Sequence, residues 1–273
     1  MWKYVATVSY TGTNYCGWQK QKLASEAVPS PSGLLPSIQG TITDALKQMT
    51  SEEAPSVVGS GRTDSGVHAL GQPAHFVLKK KPWECEILKR GLNGLLPRDI
   101  RILNVREVPI EFHAQRSAVK KQYSYYFQQG PCALPALDAF SWWISRALDV
   151  GAMSRALKAL EGKHDFKPFQ GAGATVKSTI REILETEVVV ESLGFPGRGL
   201  LPVPENPEIT VVRVRIVGTG FLKQMVRGIA GTLLQIGEGR RSENAFREIL
   251  EAGERKLVGP TAPARALWLE RVW

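Results

Sequence analysis

Residues 3–10 alternate: Tyr4, Ala6, Val8 and Tyr10 fall on one face, Lys3, Val5, Thr7 and Ser9 on the other, which predicts a strand. Residues 22–36 are rich in Ser, Pro and Ala and predict a loop. Ser37 then stands as the cap of a helix whose apolar residues Ile38, Ile42, Ala45, Leu46 and Met49 recur at helical spacing. A second helix is predicted over Trp83–Leu95 and a strand over Ile100–Val108. The rhythm repeats in the second half. Lys121–Gln128 reads as a strand with Tyr123, Tyr125 and Phe127 on one face, Ala152–Glu161 as a helix, and Glu182–Glu191 and Ile209–Val217 as strands. Phe221–Ile236 carries an apolar stripe of helical period, Ser242 is placed to cap a last helix, and residues 194–207 read as a long hairpin loop. Strands and helices mix in each half without regular βαβ alternation. The expected fold class is therefore α+β: two mixed α/β-sandwich-like domains with largely antiparallel sheets, residues 1–111 and 112–273.

Composition narrows the function. The 273 residues are 43% apolar and 22% charged, which suits a folded chain and excludes disorder, collagen and coiled coil as the main class. No run approaches the roughly 18 apolar residues of a membrane helix, since Lys223, Gln224 and Arg227 interrupt the longest apolar texture. Lys and Arg number 35 against 26 Asp and Glu, a net charge of +9, which calls for a polyanionic partner. Nucleic acid is favoured over a membrane surface because no basic amphipathic helix stands out. Cys16, Cys85 and Cys132 are odd in number and far apart, and the four histidines supply no His-x-x-x-His pair, so neither a disulfide framework nor a metal site is expected. The opening MWKYVATVSY is strand-like rather than leader-like, which gives a cytoplasmic expectation.

Two segments carry candidate chemistry. In Ile209–Val217, Arg213 and Arg215 share one sheet face, a phosphate-binding surface on one reading and a solvated face with cross-strand ion pairs on the other. The second segment is Gly59–Ala69, GSGRTDSGVHA, where three glycines permit unusual backbone angles and close approach of another molecule. Asp64 near Arg62 reads either as an oriented carboxylate, able to act as nucleophile or base, or as a turn residue capping a backbone amide. His68 reads as a packed histidine or as a base. No dinucleotide fingerprint or phosphate-cradling Lys-Ser/Thr motif occurs, and no cofactor is expected.

The run Arg62-Thr63-Asp64-Ser65-Gly66-Val67-His68-Ala69, followed by Gly71-Gln72 and His75-Phe76, resembles the signature of the TruA-type tRNA pseudouridine synthase family. Further blocks match in family order: Tyr10-Thr11-Gly12 with Tyr15–Gln19, Ser37–Gly40, Phe112–Ala114 with Lys121–Tyr125, Gly162–Phe166 with Thr179–Arg181, Gly220–Leu222 through Met225–Arg227, and Ala262–Ala264 with Leu267–Leu269. The chain departs from the family at Gln122, where the family often has Arg directly before the Tyr, and in the lengthened loop at residues 22–36.

The resemblance implies a pseudouridine synthase fold with a continuous basic cleft, and isomerisation of uridine in RNA without cofactor or metal. It implies Asp64 as the catalytic carboxylate, Arg227 as the active-site Arg paired with it, and Tyr123 as the ring that stacks on the uracil. Arg62 would hold the flipped nucleotide or its phosphate, and Leu267 would pack near the base. The implied substrate is the anticodon stem-loop of tRNA, at uridines 38 to 40, gripped by a homodimer. Tyr123 and Leu267 read equally as core, and Arg227 with Lys223 as one solvated helical stripe. Rival readings are a noncatalytic RNA-binding protein, a hydrolase using Asp64 and His68, and the same isomerisation on mRNA or organellar tRNA.

Overall fold

A computed structural model of the chain describes residues 1–20, 35–53, 55–173, 176–191 and 209–273. The loops expected at 194–207 and, up to residue 34, at 22–36 lie outside the described residues. Contacts divide the chain into two units, Met1–Val119 with Trp268–Trp273, and Lys120–Leu267. The first unit runs past residue 111, where the sequence placed the boundary. The Ala114 N–H donates to His75 Nδ1, and the Val119 N–H donates to the Trp273 carbonyl.

The first unit contains β1 (Trp2–Tyr10), α1 (Ile38–Thr50), β2 (Val58–Gly59), β3 (His68–Leu78), α2 (Cys85–Leu95) and β4 (Ile100–Val108). β1 lies between β3 and β4 and is antiparallel to both. Its alternation is realised except at Val5: Tyr4, Ala6, Val8 and Tyr10 are buried and Lys3, Thr7 and Ser9 stay half-exposed, while Val5, on their face, is buried too. Ser37 caps α1 by accepting the Gly40 N–H.

The second unit contains β5 (Lys121–Gln129), the short α3 (Pro135–Asp138), β6 (Trp142–Ile144), α4 (Val150–Lys158), β7 (Gly162–Asp165), β8 (Ile180–Glu191), β9 (Thr210–Gly218), α5 (Met225–Gly237) and α6 (Ala245–Ala252). β9 lies between β5 and β8, antiparallel to both, and β7 adds to the far edge of β8. α5 packs on β5 and beside α4 and α6. The last strand, β10 (Leu267–Val272), starts at the end of the second unit and enters the first, where Trp268 and Leu269 pair in parallel with His68 and Ala69. Both units are mixed α and β with mostly antiparallel strands, which is the expected α+β class.

Among the element boundaries that differ from expectation, three have a cause in named contacts. Helix α5 begins at Met225, not Phe221, because Gln224 is left-handed (φ 59°). Tertiary contacts pin that turn: the Gly171 N–H donates to the Lys223 carbonyl, and the Gln224 side chain packs where a Gly171 Cβ would sit. Lys223 and Arg227 are therefore not one helical stripe. The last helix is capped at Asn244 rather than Ser242, because Ser242 is used in a turn, its carbonyl accepting the Ala245 N–H and its hydroxyl the Asn244 N–H. Helix α2 starts two residues late, at Cys85, since Trp83 N–H and carbonyl both bond the Tyr4 hydroxyl.

Candidate active site

The Gly59–Ala69 segment leaves the sheet at β2 and returns to it at β3. Between them the Val67 N–H donates to the Asp64 carbonyl (3.2 Å) with Gly66 at φ 79°. Positive φ at the third position only is the mark of a type II turn, which needs glycine there. Asp64 stands at the head of this turn and is partly exposed, while Arg62 is exposed.

The residues on either side of Asp64 are tied to a second turn, Thr11–Gln19. The Thr63 carbonyl accepts the Trp18 N–H (3.1 Å), and the Thr63 hydroxyl shares a buried hydrogen bond with the Tyr10 hydroxyl (2.8 Å). The Ser65 hydroxyl donates to the Tyr15 carbonyl (3.1 Å). Two glycines make this approach possible. A Cβ at Gly12 would lie 2.1 Å from the Val67 carbonyl oxygen. One at Gly17, where φ is +106°, would lie 2.5 Å from the Thr63 oxygen. Helix α1 closes the back of the turn, as its first N–H groups, from Ile38 and Gln39, donate to the carbonyls of Gly17 and Trp18. Burial and then the hydrogen bond to Asp99 (2.6 Å) hold the Tyr15 hydroxyl neutral, well above its ordinary pKa. Upstream of Arg62, Gln72 is fully buried on β3 and donates to the Gly61 carbonyl (3.1 Å).

His68 is also fully buried. Its Nδ1 accepts the Gly12 N–H (3.1 Å), and its ring stacks on Trp268 with centroids 4.4 Å apart. A ring so placed cannot reach a substrate, which removes the hydrolase reading that needed it as a base.

In the second unit Tyr123 lies on β5, nearly buried, with the edge of its ring against Phe221 (4.9 Å, 76°). Gly218 makes room for that contact, since a Cβ there would come within 3.2 Å of the Phe221 ring. Arg227 is in the first turn of α5, half-exposed; its Nε donates to the Ala262 carbonyl (2.7 Å), and its own carbonyl accepts the Ala262 N–H. Tyr125, next on the Tyr123 face, is buried with its hydroxyl on the Pro263 carbonyl. Burial raises its pKa, against the nearby positive charges of Arg227 and Arg265. Leu267 is buried at the start of β10. Arg213 and Arg215 project from β9 toward carboxylates on β8. Arg215 bonds Glu187 (2.9 Å) and Glu185 (3.0 Å), and Arg213 meets Glu191 (2.5 Å) and Glu187 (3.7 Å). That is the ion-paired face the sequence left open as an alternative. Among the described residues no three of His, Cys, Asp and Glu stand together as metal ligands.

A family model described as tRNA pseudouridine synthase matches residues 6–115 and 156–273. The chain belongs to the tRNA pseudouridine synthase family. Similar relatives span its whole length. It is 37% identical over 273 residues to the tRNA pseudouridine synthase A of Ruminiclostridium cellulolyticum, covering 100% of both chains. It is 37% identical to that of Syntrophotalea carbinolica, covering 97% of this chain and 93% of the relative, and 37% identical to that of Myxococcus xanthus, covering 98% and 90%. As a pseudouridine synthase family member the chain is an isomerase. Among the described residues no helix is long and apolar enough to cross a membrane.

In this pseudouridine synthase the residues that sequence reasoning overlooked are supporting ones. Tyr10, Gly12, Gly17 and Trp18 were visible as matching blocks, but nothing local signalled that they hold the Asp64 loop. The partnership of His68 with Trp268 spans 200 positions and leaves no periodic trace.

Proposed function

We propose that this chain isomerises uridine to pseudouridine in the anticodon stem-loop of tRNA, at uridines 38 to 40, with Asp64 as its catalytic carboxylate. The observation that carries the reading is the setting of Asp64: a partly exposed carboxylate whose neighbours Thr63 and Ser65 are both tied to the Thr11–Gln19 turn. A main chain tied on both sides of Asp64 holds the root of that side chain in place when substrate arrives, which lowers the entropy still to be lost.

The reaction breaks the N1–C1′ bond, turns the uracil, and joins C5 to C1′; the C5 hydrogen leaves as a proton, N1 takes one up, and nothing is oxidised. Asp64 acts at the sugar, either by attack or by taking a proton from it. Arg227 is assigned as the active-site cation, as the family resemblance implies. Tyr123 stacks on the detached base, a contact worth about 1–3 kcal/mol, with Phe221 bracing its ring edge. Leu267 supplies an apolar contact to the uracil, and exposed Arg62 holds the phosphate of a nucleotide that must leave its stack, at a cost of a few kcal/mol. The net charge of +9 supports salt-dependent binding through phosphates. For Arg213 and Arg215 the Glu185, Glu187 and Glu191 pairs support a self-neutralised face over a phosphate contact. A homodimer, which the family resemblance implies, and a cytoplasmic location complete the reading.

The test is tritium release from tRNA labelled at uridine C5, since forming the C5–C1′ bond expels that hydrogen. Release by the native protein and none above background by Asp64→Asn is the expected result. Equal release by both would sink the assignment of Asp64, and release of free uracil would sink the isomerase.

A further inference from the structure

His68 lies four residues after Asp64 and is wholly removed from solvent. A buried imidazole needs partners for both ring nitrogens and for its faces. The Gly12 N–H points at Nδ1 at 3.1 Å, so Nδ1 must carry a lone pair, and the proton of a neutral ring must sit on Nε2. An imidazolium would set two hydrogens against each other at Nδ1. One face of the ring is covered by Trp268 at 4.4 Å and 22°, directly across the parallel β3–β10 pair.

The bond to Gly12 sits at the tightest point of the loop. Gly12 is the residue whose missing Cβ admits the Val67 carbonyl, and Val67 is the residue whose N–H closes the turn on Asp64. His68 follows Val67 directly. The ring therefore fastens the far end of the Asp64 turn to the Thr11–Gln19 turn, as the Thr63 carbonyl on Trp18 and the Ser65 hydroxyl on Tyr15 fasten the near end. His75 on the same strand does the same at a different place: its Nδ1 accepts the Ala114 N–H (3.1 Å), and burial pulls its pKa down to about 4. Strand β3 thus uses two histidines as neutral acceptors for backbone N–H groups.

We infer that His68, fixed as the Nε2-protonated neutral ring by the Gly12 N–H and backed by Trp268, is a positioning residue for the Asp64 carboxylate. It touches no substrate and transfers no proton. The inference rests on the reading of Asp64 as the catalytic carboxylate, and its contribution is to turnover rather than to tRNA affinity. A displacement of the turn of order 1 Å is enough to cost about 10²-fold in rate.

Two variants and one spectrum test it. His68→Leu keeps bulk and loses the acceptor; His68→Asn keeps an oxygen acceptor on the same side-chain carbon that bears Nδ1. In tritium release, His68→Leu should lower kcat by about 10- to 100-fold with KM for tRNA changed less than about 2-fold, and His68→Asn should recover most of the loss. Native kinetics in a folded His68→Leu protein would overturn the inference, as would equal losses in both variants. If His68→Leu fails to fold, nitrogen-15 spectra of the native protein labelled at histidine still decide: a proton on Nδ1 overturns the inference, a bare Nδ1 coupled to the Gly12 amide upholds the clamp. Absence of tritium release from the native protein, beside the expected spectrum, would instead strike the reading of Asp64.

Discussion

The Asp64 loop of the first unit and the charged face of β8 and β9 in the second are opposite solutions to displaying polar groups. Around Asp64 the backbone itself is bonded: the carbonyls of Tyr15, Thr63 and Asp64 accept bonds within the loop pair, the Thr63 hydroxyl meets that of Tyr10, and Gly12 and Gly17 let two main chains touch. On β8 and β9 the backbone is an ordinary ladder. The polar groups are long side chains, Arg213 and Arg215 against Glu185, Glu187 and Glu191, each partly in water. The first arrangement ties the main chain on both sides of Asp64 and leaves that residue partly exposed. The second fixes a charge balance and little else, because exposed pairs are screened and their side chains are costly to order. The first kind of setting suits the role proposed for Asp64.

The sharpest attempt to break that contrast is Gly12→Ala. The new methyl would meet the Val67 carbonyl oxygen at 2.1 Å, and main chain cannot step aside as a side chain can. The expected cost is about 3 kcal/mol in urea unfolding and a fall of about 10²-fold in tritium release. Gly71→Ala on the same strand is the control. Its methyl would find only ordinary contacts at 3.5 and 3.6 Å, and the variant should be close to native in both assays.

A smaller effect should appear on acidification. His75 is buried beside His113 and Phe112, and burial, followed by the charges of His113 and Lys3, lowers its pKa from 6.5 to about 4. The unfolded chain then binds more protons than the folded one between those values, so stability rises with pH there. The contribution is complete above pH 6.5 and shrinks as pH falls toward 4, by about 2 kcal/mol after allowance for screening. Urea midpoints measured across pH 4 to 7 should show this slope, and His75→Asn, which keeps an acceptor for the Ala114 N–H but cannot titrate, should flatten it. An unchanged slope in the variant would place the titration elsewhere.

What the sequence could show of all this follows from the range of the interactions. Alternation is local, so Ile100–Val108 and the buried Val212, Val214 and Ile216 were readable, as was the Ser37 cap with its acceptor three residues from the donor. Strand β3 hid itself because Gly71 and Pro73 interrupt its pattern. The start of α5 depended on Gly171 holding Lys223 and Gln224, 52 and 53 positions away, and no window along the chain contains both. In the candidate site the motif exposed Asp64 by resemblance to a family, while the groups that hold it, Gly12, Gly17, Tyr10 and Trp268, act through contacts that only the fold creates.

The gentlest test concerns the charged face. If Arg213 and Arg215 are neutralised by Glu185, Glu187 and Glu191, then replacing both with Gln removes exposed ion pairs worth about 0.2–1 kcal/mol each. The double variant should lose at most about 3 kcal/mol in stability at low salt and less in 0.5 M salt, where such pairs are screened. Its tRNA affinity should stay within about 2-fold of native, and the slope of log affinity against log salt should not change. A phosphate contact would announce itself differently, since each one lost reduces that slope by about 1. A slope reduced by about 2 would mean that the carboxylates release both arginines to the RNA, and the face would then belong with the Asp64 loop as part of the substrate surface rather than stand opposed to it.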